Sequence, residues 1–395
     1  MAESLASEQI SAAIDRQRLV DTAMALIEVP SPTGSGRAVA DRLAEMLQAD
    51  GFQVERPEGD WPTAPAVAVR FDSGKRGRTL QLSGHLDTVH LPFVPANEDG
   101  VNLYGSGSAD MKGGIAINVE TLRVLRETGL LSGGSILLTA YDLHERPWGD
   151  GHQLEAMIRD GYVGDGALIP EYLCDRIGVA GRGQAVFEVS IKRAGEKVHE
   201  VLRPAGTPDV IGAGAEVVLR LKQLMPQLEK KTHPHAGTDS VFVGMLSSGE
   251  IFNQSPTECR LSGTRRWVTP GDGQQALGEL KDLLAEIAVQ TNTTIEVQPV
   301  LSGEAFRLDT DDPLVEAFQA SYCAVADRPA LEVGNKPFVD DGNSFYSMKG
   351  IAALTHGPAA TGAHTSDEKV PIDELVRVAH TYALTAIDYC PLHTQ

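Results

Sequence analysis

The chain has 395 residues, 42% of them hydrophobic and 22% charged, a balance ordinary for a globular protein and long enough for two domains. Its formal net charge of −20 repels polyanions and argues against a nucleic-acid partner. No apolar run approaches the roughly 20 residues of a membrane-spanning helix, so no membrane role is expected. The N-terminus, with two early acids and no apolar core, does not read as a secretory signal. Four cysteines (Cys174, Cys259, Cys323 and Cys390) lack C-x-x-C pairing, so neither a disulfide framework nor a thiolate zinc site is indicated. A cytoplasmic protein fits.

In chain order, an amphipathic helix is predicted from Gln9 to about Glu28, ending at Pro30-Ser31-Pro32-Thr33-Gly34. A second helix follows over Ala38–Ala49. Apolar strands are predicted over Pro65–Phe71, Leu80–Gly84, Ser135–Tyr141 and Ala167–Pro170, with a helix over Ile115–Arg126. Strands separated by helices imply an α/β domain with a mixed or parallel sheet. The middle of the chain reads differently. A strand (Ala185–Lys192), a helix (Gly212–Leu228), two strands (Ser240–Leu246, Glu258–Trp267), a helix (Gln274–Thr291) and a strand (Thr294–Val300) give the β-α-β-β-α-β order of a ferredoxin-like unit. A last helix covers Ile372–Tyr389. The expectation is an inserted domain, 181–300, within a discontinuous one of residues 1–180 and 301–395.

Residues that bear chemistry lie at the ends of predicted strands or in the loops beyond them, where an α/β sheet presents its ligand sites. In Ser83-Gly84-His85-Leu86-Asp87-Thr88 the spacing of two places Asp87 where it can orient a metal-binding His85. Gly105-Ser106-Gly107-Ser108-Ala109-Asp110-Met111-Lys112-Gly113-Gly114 suits a tight loop that pushes the Asp110 carboxylate into a cleft. It does not follow the phosphate-loop pattern. Tyr141-Asp142-Leu143-His144-Glu145-Arg146 and Pro170-Glu171 each follow a strand, and Gly362-Ala363-His364-Thr365-Ser366-Asp367-Glu368 precedes the last helix. Each segment alone has a bland reading as a satisfied surface group. His233 and His235 read as a solvated loop, and His90, His152, His356 and His380 have no evident partner. Asp309–Asp312 reads as a solvated helix start.

In this order and at these spacings the segments resemble the metallopeptidase and aminoacylase family of acetylornithine deacetylase, succinyl-diaminopimelate desuccinylase and glutamate carboxypeptidase. The resemblance spans nearly the whole chain. It implies a mixed-sheet, zinc-exopeptidase-like catalytic domain with an inserted ferredoxin-like lid or dimerisation domain. It also implies one or two divalent transition metals, zinc first, with manganese or cobalt as alternatives. By position, His85 and Glu171 are ligands of one metal, Asp110 bridges two, His364 binds the other, and Asp87 orients His85. Gly195-Glu196-Lys197-Val198-His199 matches the segment whose histidine reaches a neighbouring subunit's site and stabilises an oxyanion. Asn253 matches an asparagine near the substrate. Arg265 or Arg266 lies where the family grips a substrate carboxylate. A homodimer or higher homo-oligomer is implied.

One segment departs from the family. Members usually carry two adjacent glutamates after the third strand, a general base and then a metal ligand; here the residues are His144-Glu145-Arg146. Without a gap, Glu145 is the ligand and His144 stands in the base's place. Shifted by one, Glu145 is the base and Arg146 replaces the ligand. The second register is favoured, because losing one metal is more survivable than losing the proton acceptor. His144 could serve as a ligand in either. The expected activity is hydrolysis of a C–N bond in a small carboxylate-bearing substrate, such as an N-acyl amino acid or dipeptide, by activated water with Glu145 as base. Alternatives are a deaminase or amidase acting on an aromatic amine or carbamoyl group, and, more remotely, a non-catalytic binder.

Overall fold

The computed structural model describes residues 2–392. A six-stranded sheet runs in the order Val54–Glu55, Val67–Asp72, Ser135–Tyr141, Thr79–His85, Gly166–Ile169, Ala352–Thr355. The last four strands in that order are parallel, and Val67–Asp72 lies antiparallel beside them. Thr79–His85, Ser135–Tyr141 and Gly166–Ile169 are buried almost without alternation, as strands covered on both faces must be. Leu80, Leu82, Ile136, Leu137, Leu138, Leu168 and Ile169 are among their buried apolar residues.

The helix Lys112–Thr128 is buried from Lys112 through Leu125 and ends at Gly129, whose φ of 63° and N–H bond to Leu125 close its last turn. Two of its buried charges are paired. Glu120 accepts Arg18 at 2.7 Å and the Asp15 N–H at 2.9 Å, and Arg123 meets Asp50 at 2.6 Å. The single helix expected over Gln9–Glu28 is two, Ala2–Ala13 and Arg16–Ile27. Asp15 breaks it: its carboxylate accepts the Arg18 N–H at 3.0 Å and caps the second helix.

The chain divides into two compact units. One is Met1–Val179 with Leu308–Gly334 and Ser344–Gln395; the other is Ala180–Arg307 with Asn335–Asn343. The inserted unit thus runs on past 300 to Arg307 and takes in a later segment. Its antiparallel sheet has the order Ser240–Ser248, Glu258–Trp267, Gly183–Lys192, Thr294–Gly303, and it carries the helices Val210–Leu228 and Gly273–Thr291. Burial alternates along Gly183–Lys192 and Glu258–Trp267, so one face packs Phe187, Val189, Ile191 and Leu261 against Val217, Leu221 and Leu284 of the helices. All four cysteines are free. Among the described residues no helix is long and apolar enough to cross a membrane.

His356 is fully buried, with Phe318 and Tyr322 edge-on at 5.0 and 5.6 Å. Burial and the nearby Arg377 push its pKa down to about 3 from an ordinary 6.5. Below pH 6.5 the unfolded chain therefore takes up a proton that the folded chain refuses, and stability is lost as pH falls. We expect the melting temperature of the wild type to drop more between pH 6.5 and 4.5 than that of His356→Gln, which cannot titrate. Equal declines in the two proteins would clear His356 of this role.

Candidate metal centre

The parallel strands Thr79–His85, Ser135–Tyr141 and Gly166–Ile169 end at one edge of the sheet, and His85, His144, Glu145 and Glu171 lie at or just beyond those ends. Asp110 comes from the glycine-rich turn before the helix Lys112–Thr128. Gly105 has a φ of 124°, and a Cβ there would stand 2.6 Å from Ile27 and 2.8 Å from the Pro95 carbonyl, so only glycine lets the turn pass. His364 stands in a loop closed by the Thr361–Lys369 bridge, with a left-handed φ of 62°.

His85 has no exposed surface. Its Nδ1–H donates to the Asp87 carbonyl at 2.9 Å, which turns Nε2 toward Asp110 Oδ1 at 3.1 Å and Glu171 Oε1 at 3.8 Å. His364 Nε2 lies 3.1 Å from Asp110 Oδ2 and 3.2 Å from Glu145 Oε2. The His144 ring stacks on His85 with centroids 4.0 Å apart, its Nε2 3.7 Å from Glu171 Oε1. Donor atoms of His85, His144 and Glu171 all lie within 4.8 Å of one another, as do those of His85, Asp110 and Glu145.

Burial opposes a charge on His85, yet the Asp110 and Asp87 carboxylates outweigh it and hold the pKa well above the usual histidine range. Hydrogen bonds to Asp110 and Glu145 raise His364 to about 10. Asp110 is driven the other way: burial works against its charge, but His364 and His85 keep it below the usual carboxylate range. The carboxylates of the centre thus favour the protonated forms of His85 and His364, and a divalent cation would take the place of those protons. The donors fit one. Imidazole nitrogens and carboxylate oxygens suit zinc, manganese or cobalt, and Glu145 Oε1 is buried with no hydrogen bond among the described residues.

One sequence reading changes here. The ring partner of His85 is the Asp87 carbonyl; the Asp87 carboxylate, 3.6 Å from the same nitrogen, accepts the backbone N–H groups of His144 at 3.2 Å and Glu145 at 3.0 Å. Glu145 faces His364, while Arg146 donates to the Asp150 carbonyl of its own loop. Leu143, with a φ of 69°, makes the turn that aims the pair. Sequence reasoning also passed over Glu368 and Lys112. The Glu368 carboxylate accepts the N–H groups of Gly107, Ala109 and Asp110 at 2.7–2.9 Å. Burial pushes the Lys112 amine down to about 7, and it donates to the Val29 carbonyl. The one available signal was an acid beside His364 and a glycine-rich loop with N–H groups to satisfy.

In the inserted unit His199 Nε2 lies 3.0 Å from Asn253 Nδ2, across the short ladder of Val198–His199 with Gln254–Ser255. Arg265 is buried and pairs with Asp239 at 3.0 Å and Glu279 at 3.5 Å. The guanidinium of Arg266, on the opposite face of the strand, has no hydrogen-bond or ion-pair partner among the described residues, and burial and the neighbouring Arg182 lower its pKa.

The sequence pattern of peptidase family M20/M25/M40 matches residues 81–388. The chain belongs to this family. A succinyl-diaminopimelate desuccinylase of Methylobacterium radiotolerans is 38% identical over 392 residues, covering 93% of this chain and 95% of the relative. A tripeptidase from Staphylococcus aureus has the same fold, with a TM-score of 0.78 at 22% identity over 95% of this chain and 98% of that one. A Bacillus subtilis protein described as a dinuclear metal binding peptidase of family M20 superposes at 0.68, 16% identical, over 94% and 97% of the two chains. The family resemblance read from the sequence holds, and this member is a hydrolase of C–N bonds. Membership and the donor groups together support the use of a divalent metal.

His85→Ala and Asp110→Ala should each abolish tight metal binding, since a site with few protein ligands rarely survives the loss of one. Metal content after dialysis against a weak chelator measures this; two variants that retain the wild-type content would refute the assignment.

Proposed function

We propose that the chain hydrolyses the amide of a small N-acyl amino acid or dipeptide bearing a free carboxylate. The observation that carries this reading is the convergence of His85, Asp110, Glu145, Glu171 and His364 on one point at the end of the parallel strands. The likeness to a protein named for desuccinylation favours an N-acyl substrate. His85, Asp110 and Glu171 would hold one divalent ion, and Asp110, Glu145 and His364 a second, with zinc the first choice and manganese or cobalt alternatives. Such an ion supplies Lewis acidity, polarising the scissile carbonyl and acidifying an attacking water.

The proton falls to His144. Glu145 is engaged with His364, whereas the His144 ring is held by its stack on His85 and its backbone N–H by the Asp87 carboxylate. It accepts the proton of the attacking water and returns it to the leaving nitrogen. Asn253 and His199 are proposed to stabilise the developing oxyanion, and Arg266, whose charge is unpaired, to grip the substrate carboxylate. Arg265 is already engaged by Asp239 and Glu279. His144→Ala should lower kcat by roughly 10²- to 10⁴-fold at unchanged metal content. Metal lost in step with activity would make His144 a ligand instead.

The active unit is proposed to be at least a dimer joined through the inserted unit, with His199 of one chain serving the centre of the other. Ser240–Ser248 is an edge strand that exposes Phe242, Met245 and Leu246, next to a helix that exposes Ile211 and Leu219. Such an edge is a self-complementary surface for a two-fold pair. Mixing inactive His199→Ala chains with inactive Glu145→Gln chains should restore activity, because one site of each heterodimer is then whole. No recovery despite demonstrated subunit exchange would mean that each chain completes its own site.

A further inference from the structure

We propose that Glu368 is a positioning residue that holds the Asp110 carboxylate in register with His364, and that it thereby sets the affinity of the centre for its metal. The inference rests on the metal reading of the site given above.

Glu368 is 6% exposed and uses both carboxylate oxygens. Oε2 accepts the Gly107 N–H at 2.8 Å, and Oε1 accepts Ala109 at 2.9 Å and Asp110 at 2.7 Å. The donors are backbone groups of the turn that carries Asp110. They cannot pair within a helix, because the helix begins only at Lys112. Without an acceptor they would be buried and unsatisfied, and the turn would be free to re-aim its one carboxylate.

The acceptor comes from the loop that supplies the facing ligand. The bridge between Thr361 and Lys369, with backbone bonds of 2.9 and 3.0 Å, closes a short loop with His364 within it and Glu368 at its base. Lys369 in turn pairs with Tyr104, at the start of the Asp110 turn, and Gly105 N–H reaches the Glu368 carbonyl at 3.4 Å. One loop therefore provides a donor, His364 Nε2, and a clamp on the residue it faces, Asp110 Oδ2, 3.1 Å away. Two loops distant in sequence are locked at the spacing the centre requires. Outer partners of this kind typically carry 10- to 100-fold in metal affinity.

The test is a titration of metal-stripped protein with Zn²⁺ or Mn²⁺ by calorimetry, for wild type, Glu368→Gln and Glu368→Ala, beside the melting temperature of each metal-free protein. Glutamine has the size of glutamate, so a space-filling role leaves affinity unchanged. As an acceptor, however, it can serve only one side of the turn and sets its NH₂ against an N–H donor on the other. We expect Glu368→Gln to bind about 10- to 100-fold more weakly while its metal-free form still folds, and Glu368→Ala to bind no more tightly than that. Wild-type affinity in Glu368→Gln overturns the proposal while leaving the metal reading intact. So does a fall in melting temperature with affinity retained, which would make Glu368 a prop of the fold alone. A wild-type protein that binds neither ion overturns both, and that result is distinct from the other two.

Discussion

Three carboxylates, those of Asp110, Glu145 and Glu171, are brought together out of water, and the surrounding structure can be understood as what makes that tolerable. Like charges at such separations repel strongly in a poorly solvated site. The fold answers with imidazoles. His85 sits between Asp110 and Glu171, and His364 between Asp110 and Glu145, so each carboxylate faces a group that can carry positive charge. Those contacts lift the histidines and depress Asp110. The arrangement is costly without a cation and favourable with one, which is how a site becomes selective for charge before any geometric preference acts.

The constraint propagates outward through the backbone. Parallel strands point their ends to one edge, so residues that follow different strands can meet without a long detour of the chain. Asp87 then links two of those ends. Its carbonyl fixes the His85 ring, while its carboxylate fixes the peptide groups of His144 and Glu145. Asp142 does a similar service one layer out, accepting the N–H groups of Gly34 and Gly36 at 2.9 and 2.8 Å and that of Leu143 at 2.7 Å. Acidic side chains that hold backbone donors thus recur around the acidic side chains placed to hold metal.

What the sequence revealed follows from which of these interactions leave a mark on it. The strands were legible because burial on both faces needs continuous apolar runs, and His85, Glu145 and Glu171 because they stand where such runs stop. The directions in which His144 and Glu145 point were not, since they follow a left-handed turn at Leu143, which no residue type announces. Glu368 was hidden for a related reason: its partners are peptide N–H groups, which carry no side-chain signature. The different environments of Arg265 and Arg266 were legible in principle. Cys259, Leu261 and Trp267 stand at alternate positions with Gly263, so Arg265 shares their buried face and Arg266 must point the other way. Asp15, a capping residue inside an apparently continuous helical pattern, was another signal available and unused.

A histidine at 144, where the family carries an acid, bears on the charge of the centre. The cluster holds three carboxylates, those of Asp110, Glu145 and Glu171, where an acid at 144 would make four. The His144 ring instead lies flat on His85, centroids 4.0 Å apart, and sets its Nε2 3.7 Å from Glu171 Oε1. Each of the three carboxylates therefore faces at least one imidazole, and the like-charge repulsion that a fourth would add is absent.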